Sequence, residues 1–332
     1  MTFVEKNDSE FQEVFTNIID LSTKDTTYKF AFARFLVEYS SSKTEEQVDF
    51  STIAEYFLKY YWNLECKYKI KQGNKTDKQP LIVKIIKEEF TESYYPESFE
   101  EIQKKESKKI LWCIQNIKKD CFHDVTKSFQ KVKTGKKTKN EKIFFDFREK
   151  NSRKIDLDYG IKLKPEAMKF FKKHNPILKK AITLEWAKKL EILNLGVPRL
   201  IAKTEGIVKR GSLSSFKKDL EPFFKTCFYC KKQLEPGKET HVDHLIPFDY
   251  IADDQMWNFV LSCQKCNCEK LSSLPPEKFL DGIISRNTEF RYKIKSLDKS
   301  LTVIGTDFEK IIKEHYKNAK SHGYSVLENF PN

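Results

Sequence analysis

Two pairs of cysteines carry the clearest chemistry in this sequence. Each pair has two residues between its thiols, at Cys227 and Cys230 and again at Cys263 and Cys266. Two such C-x2-C knuckles can supply four thiolates in tetrahedral geometry, which is the usual structural zinc site. A long insertion separates the knuckles, and the entropy cost of closing a loop grows only slowly with its length. The spacing therefore predicts a structural Zn²⁺ site that pins both ends of an inserted segment.

The segment between and just after the knuckles contains residue types that suit hydrolysis. Asp243 and His244 are adjacent, Asn258 follows later in the insertion, and Asn267 comes directly after the second knuckle. A carboxylate and an amide carbonyl are oxygen donors of the kind that Mg²⁺ or Mn²⁺ prefers. An imidazole can take a proton from water at neutral pH. Together these residues indicate hydrolysis assisted by a divalent cation.

The order of these positions is C-x2-C, D-H-x2-P, N and C-x2-C-N-x2-K, between Cys227 and Leu271. This order resembles the HNH endonuclease family, a branch of the ββα-metal nucleases with four zinc-binding cysteines. The resemblance implies a general base at His244 and a catalytic Mg²⁺ or Mn²⁺ held by Asp243 and Asn267. It also implies that a further asparagine fixes the loop that orients the base. That asparagine is Asn258.

The resemblance implies an enzyme, a hydrolase that cuts DNA phosphodiester bonds and leaves a 5′-phosphate and a 3′-hydroxyl. Double-stranded DNA is the expected partner. Stand-alone proteins of this layout resemble bacterial restriction or anti-phage defence nucleases, so such a role is expected by analogy. A homodimer or a partner protein from a defence system is a further expectation from the same analogy.

Several residues around the motif are secondary candidates. His241 lies two residues before Asp243, which on a strand places both on the same face. It is interpreted as a further metal ligand or phosphate contact, or as a packed or solvated histidine. Lysines near the knuckles suit contacts to phosphates. The predicted nucleic-acid contacts are Lys231, Lys232, Lys265 and Lys270.

Two other functions fit part of this pattern. The knuckles alone could form a zinc ribbon that binds DNA without catalysis. A ribonuclease with the same metal chemistry would use the same residues. Loss of nicking on removal of His244 would separate the nuclease from the binding module, and competition between RNA and DNA would separate the two nucleases.

The remaining sequence predicts the elements that position this site. Apolar residues at helical spacing indicate a mostly helical N-terminal region, and a helix follows Asp307. Pro165 and Pro176 each predict the start of a helix, and the lysines between Lys127 and Lys142 predict a solvated loop or linker. We expect an α+β protein: a helical domain with a small β-hairpin region, then a zinc-stabilised ββα-metal nuclease domain and a C-terminal helix. The predicted segments are 1–125 (helical), 126–200 (basic linker, β-hairpin and helices), 201–290 (nuclease) and 291–332 (C-terminal helical).

Composition limits the remaining possibilities. The chain has 332 residues and a formal net charge of +13, which favours a polyanionic partner, although an AT-rich genome would produce the same lysine bias. An aromatic content of 14% excludes a disordered chain. A mean hydropathy of −0.61 argues against a membrane protein. The eight cysteines and the absence of a signal-like N-terminus predict a reducing, cytoplasmic location.

Overall fold

The protein is α+β, as predicted, and it forms two compact units. The computed structural model describes residues 3–20, 27–73, 79–90, 97–134, 137–140, 142–235 and 240–331. The first unit comprises residues 1–194 with 204–206, and the second comprises residues 195–203 with 207–332. The four segments expected from the sequence are a finer division than these two units, and they stay a prediction.

The first unit is mainly helical, as the apolar spacing predicts. Its helices are α1 (Phe3–Asp20), α2 (Tyr28–Ser42), α3 (Phe50–Tyr61), α4 (Leu81–Glu89), α5 (Phe99–Lys105), α6 (Ser107–Asp120), α7 (His123–Phe129) and α8 (Pro165–Glu191). A π-helical turn, Trp62–Lys67, extends α3. The carboxylate of Asp49 caps the start of α3 by accepting from the backbone N–H of Ser51 at 2.7 Å.

Aromatic rings fill the core of the first unit. Phe32 is fully buried on α2, and its ring centroid lies 5.0 Å from that of Phe129 and 5.3 Å from that of Phe145. The ring of Phe57 on α3 lies edge-on to that of Phe32, at a centroid distance of 6.1 Å. Such rings bury large apolar areas and pack favourably in tilted and edge-on pairs. Helices from distant parts of the chain are therefore joined through one aromatic cluster.

Five short strands also lie among the described residues of the first unit. They are β1 (Gln47–Val48), β2 (Lys131–Thr134), β3 (Lys137–Asn140), β4 (Phe145–Phe147) and β5 (Ile161–Leu163). The strands β1, β5 and β4 form an antiparallel sheet in that order. Gly160 enters β5 with φ +74°, and a Cβ there would lie 2.1 Å from the carbonyl oxygen of Val48. Only glycine fits this close approach.

The basic stretch between Lys127 and Lys142 differs from the solvated loop that its charge predicts. Its strands β2 and β3 pair antiparallel, with Lys131 opposite Asn140 and Lys133 opposite Thr138. Its β-branched residues favour extended backbone. Gly135, Lys136 and Glu141 of this stretch lie outside the described residues.

The helix α8 is also longer than the sequence indicates. The sequence predicts one helix from Pro165 and a second from Pro176, but α8 runs through Pro176 to Glu191. The flanking side chains Phe171 and Leu178 are buried, and α8 packs along α2. We attribute the continuous helix to this burial, which outweighs the hydrogen bond that proline cannot donate.

The second unit contains the hairpin and helix that carry the motif. Its two described strands are β6 (Thr240–His244) and β7 (Phe259–Cys263). Its helices are α9 (Leu200–Glu205), which begins in this unit, α10 (Ser214–Leu220), α11 (Phe248–Ile251), α12 (Gln264–Lys270), α13 (Glu277–Phe290), α14 (Lys295–Ile304) and α15 (Phe308–Ser321). The strands β6 and β7 pair antiparallel and α12 follows directly. This is the predicted ββα arrangement, and α15 is the predicted C-terminal helix.

Two buried polar side chains of α13 donate hydrogen bonds to backbone carbonyls at the start of β7 and just before it. The buried Arg286 donates to the carbonyl oxygen of Phe259 at 2.9 Å, and Asn287 donates to that of Trp257 at 3.0 Å. These bonds hold the start of β7 in place. No helix in the described ranges is long and apolar enough to cross a membrane.

Candidate zinc site and active site

The first cysteine knuckle is a tight turn joined to the hairpin. The backbone N–H of Cys227 donates to Lys232 at 2.8 Å, and that of Lys231 donates back to Cys227 at 3.0 Å. Lys231 takes the left-handed conformation, with φ +64°. The N–H of Phe228 then donates to the carbonyl oxygen of Leu261 on β7 at 2.8 Å. The knuckle is thereby fixed against the strand that leads into the second knuckle.

The second knuckle spans the junction of β7 and α12. Cys263 ends the strand and Cys266 lies in the first turn of the helix. The Sγ atoms of these two residues and of Cys227 and Cys230 all lie within 4.8 Å of one another. Within the described residues this is the one group of three or more His, Cys, Asp or Glu side chains placed to hold a metal ion.

The chemistry of these thiols fits zinc. Burial and the neighbouring thiols raise the pKa of Cys266, and burial raises that of Cys227. Burial also opposes ionisation of Cys230, but hydrogen bonds from the Lys232 backbone and the other cysteines lower its pKa. Four thiolates at this separation would repel one another in the absence of a cation. A dication that binds sulfur, such as Zn²⁺, removes that repulsion and suits the donor set.

Asp243 lies near the end of β6 and faces the interior. Its Oδ2 accepts a hydrogen bond of 2.6 Å from the phenol of Tyr229, which stands inside the first knuckle. Burial and the adjacent carboxylate raise the pKa of Tyr229 well above its usual range, so the phenol stays protonated and donates. The Nζ of Lys270 lies 3.2 Å from the same Oδ2. Asp243 is thus held from the knuckle and from α12 together.

Lys270 occupies a different place from the one the sequence predicts. It is fully buried rather than facing solvent as a phosphate contact would. Its ammonium group donates to the carbonyl oxygen of His244 at 2.7 Å and pairs with Asp243. A buried ammonium needs such partners because desolvation of an unpaired charge is costly. Lys270 therefore joins α12 to the end of β6.

The donors near this junction suit a hard divalent cation. Asn267 precedes Lys270 by one helical turn, so both side chains lie on the face of α12 that meets β6. Asn267 is half-buried, and its amide oxygen is a neutral donor. The carboxylate of Asp243 has lone pairs beyond those used by Tyr229 and Lys270. This pair would leave most coordination positions to water and phosphate, as Mg²⁺ prefers.

His244 is the last residue of β6, where the strand gives way to the loop. Its Nε2 lies 3.0 Å from Oδ1 of Asp254, and the side chain is 12% exposed. The rings of Phe259 and Phe248 meet the imidazole at centroid distances of 4.6 and 5.3 Å. The two adjacent residues therefore have different surroundings. Asp243 contacts Tyr229 and Lys270 in the interior, whereas His244 contacts Asp254 in the loop.

Asn258 closes the loop between the two strands. It is completely buried, and its amide Nδ2 donates to the carbonyl oxygen of Ile246 at 2.8 Å. Its Oδ1 accepts from the backbone N–H of Ile246 at 2.9 Å. The side chain thus takes the place of a strand partner and fixes the backbone two residues after His244.

The remaining candidates lie at the edges of the site. His241 is half-buried on β6 opposite Ser262, and it is not part of the cysteine cluster. Lys231 bends back over the first knuckle and donates to Phe228 at 2.8 Å. Lys232 and Lys265 are exposed. Their contacts to nucleic acid stay predictions.

Two residues of the site, Tyr229 and Asp254, are missing from the sequence interpretation. Tyr229 stands between the first two cysteines, where its position inside the knuckle is the signal that could have indicated it. Asp254 is separated from His244 by loop residues and the short helix α11, so spacing alone could not indicate their contact.

The comparisons with known proteins agree with this geometry. Residues 227–276 match the family described as HNH endonuclease. No curated protein and no solved structure matched the chain. The matched residues cover the first knuckle, the hairpin, the second knuckle and α12. The second unit therefore carries a segment that matches the HNH endonuclease family, and its four clustered cysteines are consistent with a zinc-binding member of that family.

Proposed function

We propose that this chain is a metal-dependent endonuclease that hydrolyses DNA phosphodiester bonds. The observation that carries the proposal is that the family match coincides with a folded ββα unit in which His244 ends β6 beside Asp243. An imidazole and a carboxylate at one strand end, facing a helix that presents Asn267, provide a base and oxygen donors together. The role in phosphodiester chemistry follows from these groups rather than from the zinc cluster.

In the proposed reaction His244 takes a proton from a water molecule. The oxygen of that water bonds to phosphorus, and the bond from phosphorus to the 3′-oxygen breaks. The products are a 5′-phosphate and a 3′-hydroxyl, which receives its proton from solvent. Asp243 and Asn267 would hold the Mg²⁺ or Mn²⁺, which when bound stabilises negative charge on the phosphate and on the leaving oxygen. Asn258 keeps the base in place through the loop backbone.

The cysteine cluster has a structural part in this proposal. Zn²⁺ at Cys227, Cys230, Cys263 and Cys266 would fix the ends of the hairpin, with no part in the chemistry. Lys231, Lys232 and Lys265 are proposed to contact the phosphates of double-stranded DNA. A role in restriction or anti-phage defence, a homodimer and a partner protein stay predictions from the resemblance.

The test is nicking of supercoiled plasmid by the purified full-length chain, with and without Mg²⁺ or Mn²⁺. We expect cleavage that depends on the added cation and that His244→Ala lowers by at least about 100-fold, the scale of general base catalysis. His174→Ala is the matched control, because this half-exposed histidine bonds to Asp8 in the first unit. Zinc content and melting temperature should be unchanged in both variants.

Other outcomes point to the alternatives. Full cleavage by His244→Ala would contradict the assignment of the base. DNA binding with no cleavage under any cation would favour the zinc-ribbon binding module. Preferential cleavage of labelled RNA in competition with DNA would favour the ribonuclease.

A further inference from the structure

The imidazole of His244 is held on several sides. Its Nε2 lies 3.0 Å from Oδ1 of Asp254, and the rings of Phe248 and Phe259 pack against it edge-on. In the described part of the chain, no hydrogen bond joins Nδ1 of this ring to a protein group. One nitrogen thus faces a carboxylate, and the other has no protein partner among the described residues.

Asp254 is itself fixed on both sides. Its Oδ2 accepts from the backbone N–H of Gly211 at 3.0 Å, and its own N–H donates to the carboxylate of Asp253 at 3.1 Å. Burial opposes ionisation of Asp254, but the hydrogen bonds from His244 and Gly211 prevail and its pKa is lowered. The group is therefore a carboxylate near neutral pH, and it can only accept hydrogen bonds.

We propose that Asp254 is a positioning residue that keeps the proton of neutral His244 on Nε2, so that Nδ1 is the basic nitrogen. This inference rests on the proposed function, because it assigns an orientation to the base of that reaction. A carboxylate at 3.0 Å requires a donor opposite it, and the neutral imidazole meets this requirement in one tautomer alone. The lone pair of Nδ1 then accepts the proton of water.

The contact with Asp254 is kept after proton transfer. When Nδ1 takes the proton, both ring nitrogens carry hydrogen and the imidazolium stands beside the Asp254 carboxylate. Carboxylates that orient a catalytic histidine stabilise this state in other hydrolases. Without Asp254 both tautomers become accessible, and the fraction with a basic Nδ1 falls.

A simple structural role for Asp254 predicts something else. Its bond to Gly211 ties the segment before α10 to the loop, so removing it could act by loosening the loop. Asp253 is a matched control for that effect. Its carboxylate pairs with Arg199 at 2.6 Å and accepts from Gln255 at 2.9 Å, and it supports the same loop. It also accepts from the backbone N–H of Asp254 at 3.1 Å, so these contacts hold the loop and do not reach the imidazole.

The kinetic test compares Asp254→Ala with Asp253→Ala in the zinc-loaded, full-length protein. Cleavage of a DNA duplex is measured at saturating Mg²⁺. For Asp254→Ala we expect kcat to fall about 10- to 100-fold, the usual effect of losing a group that orients a site residue, with KM within about threefold. Asp253→Ala should retain most of kcat. Equal losses of kcat in the two variants, or a loss in KM alone, would overturn the proposal.

A second measurement does not depend on activity. Nitrogen-15 NMR of the imidazoles, in zinc-loaded protein without added Mg²⁺, reports which ring nitrogen carries the proton. The signals of His244 are those lost in His244→Ala. We expect the Nε2-protonated form in the wild-type chain and a mixture of tautomers in Asp254→Ala. A proton on Nδ1 in the wild type, or an unchanged tautomer in the variant, would overturn the proposal.

The two proposals fail in different ways. If His244→Ala cleaves DNA normally, the proposed function loses its base whatever the tautomer is. If His244→Ala is inactive while Asp254→Ala keeps full kcat, the nuclease proposal stands and the positioning role of Asp254 is wrong.

Discussion

The two units of this protein obtain their order from different interactions. In the first unit, aromatic rings from α2, α3, α7 and β4 share one apolar core around Phe32. In the second, the motif region gathers four thiols and buries an ion pair of Asp243 with Lys270. Burial of apolar area orders the first region, whereas the four thiols of the second are placed to hold a metal ion.

This difference has a consequence for how each region responds to change. An aromatic core loses stability in proportion to the atoms removed from it. A metal centre loses nearly all of its contribution when one ligand is lost, because the free energy of metal binding is also free energy of folding. Substitutions in each unit can test this contrast, and loss of a metal ligand is expected to have the largest effect.

Loss of one zinc ligand should have the largest effect. We expect Cys227→Ser to lose zinc and to unfold the motif region of the second unit, because structural zinc contributes about 10 kcal/mol or more of apparent free energy in small domains. Metal analysis gives the zinc content, and limited proteolysis reports the unfolding. Nuclease activity should be lost with it.

The control is Cys268→Ser, which removes an exposed thiol close to the cluster. This variant should keep one zinc ion per chain and resist proteolysis like the wild type. A folded, active Cys227→Ser protein without zinc would contradict the contrast between the units.

A cavity in the aromatic core should have a smaller and more graded effect. We expect Phe32→Ala to lower the free energy of unfolding of the first unit by about 3–5 kcal/mol, because it removes a fully buried ring. Zinc content should stay at the wild-type level. Urea unfolding followed by tryptophan fluorescence measures the change. Leu111→Ala, at a side chain that is 57% exposed on α6, is the control and should change stability by under about 0.5 kcal/mol.

The smallest effect concerns a buried acid in the first unit. Burial raises the pKa of Glu65 to about 7, against an ordinary value of 4.5. The folded state therefore binds this proton more tightly than the unfolded chain. Stability from this group is fully present below pH 4.5 and is lost as the pH rises towards about 7. The shift corresponds to at most about 3 kcal/mol.

Replacement of this carboxyl by an amide should remove that pH dependence. We expect Glu65→Gln to raise the free energy of unfolding at pH 8 by about 1–3 kcal/mol, and to have little effect near pH 4.5. Urea titrations at both pH values make the comparison. Glu100→Gln, at a side chain that is 53% exposed, should change stability by under about 1 kcal/mol. Equal effects of Glu65→Gln at the two pH values would contradict the assignment.

The sequence predicts which residue types form the site better than it predicts which of them contact one another. Metal ligands must come in certain residue types at short spacings, so the cysteines could be assigned to one cluster before the structure was known. The partners of Asp243 and His244 could not be assigned in this way. Lys270 reaches Asp243 across 27 positions of the chain, and its burial depends on how α12 packs against β6.

The fold shows the same division. Apolar residues at helical spacing predict most of the first unit, because burial of one face decides whether a helix forms. At Pro176 and in the basic stretch, local signals predict a break and a loop, whereas the structure has a continuous helix and a strand pair there. In α8, packing along α2 prevails over the proline, and β2 pairs with β3 in antiparallel register. Each exception comes from a contact between elements.

The pairing of β6 with β7 has one more consequence. Thr240 stands opposite Cys263 at one end of the ladder, and His244 stands opposite Phe259 at the other. A slip of one residue would turn every side chain of a strand to the other face. A mispaired chain could not bring Cys263 to the other sulfurs, so it would fail to retain its ion. Zinc uptake would thus favour chains with the correct hairpin register, in which His244 stands opposite Phe259 at the end of β6.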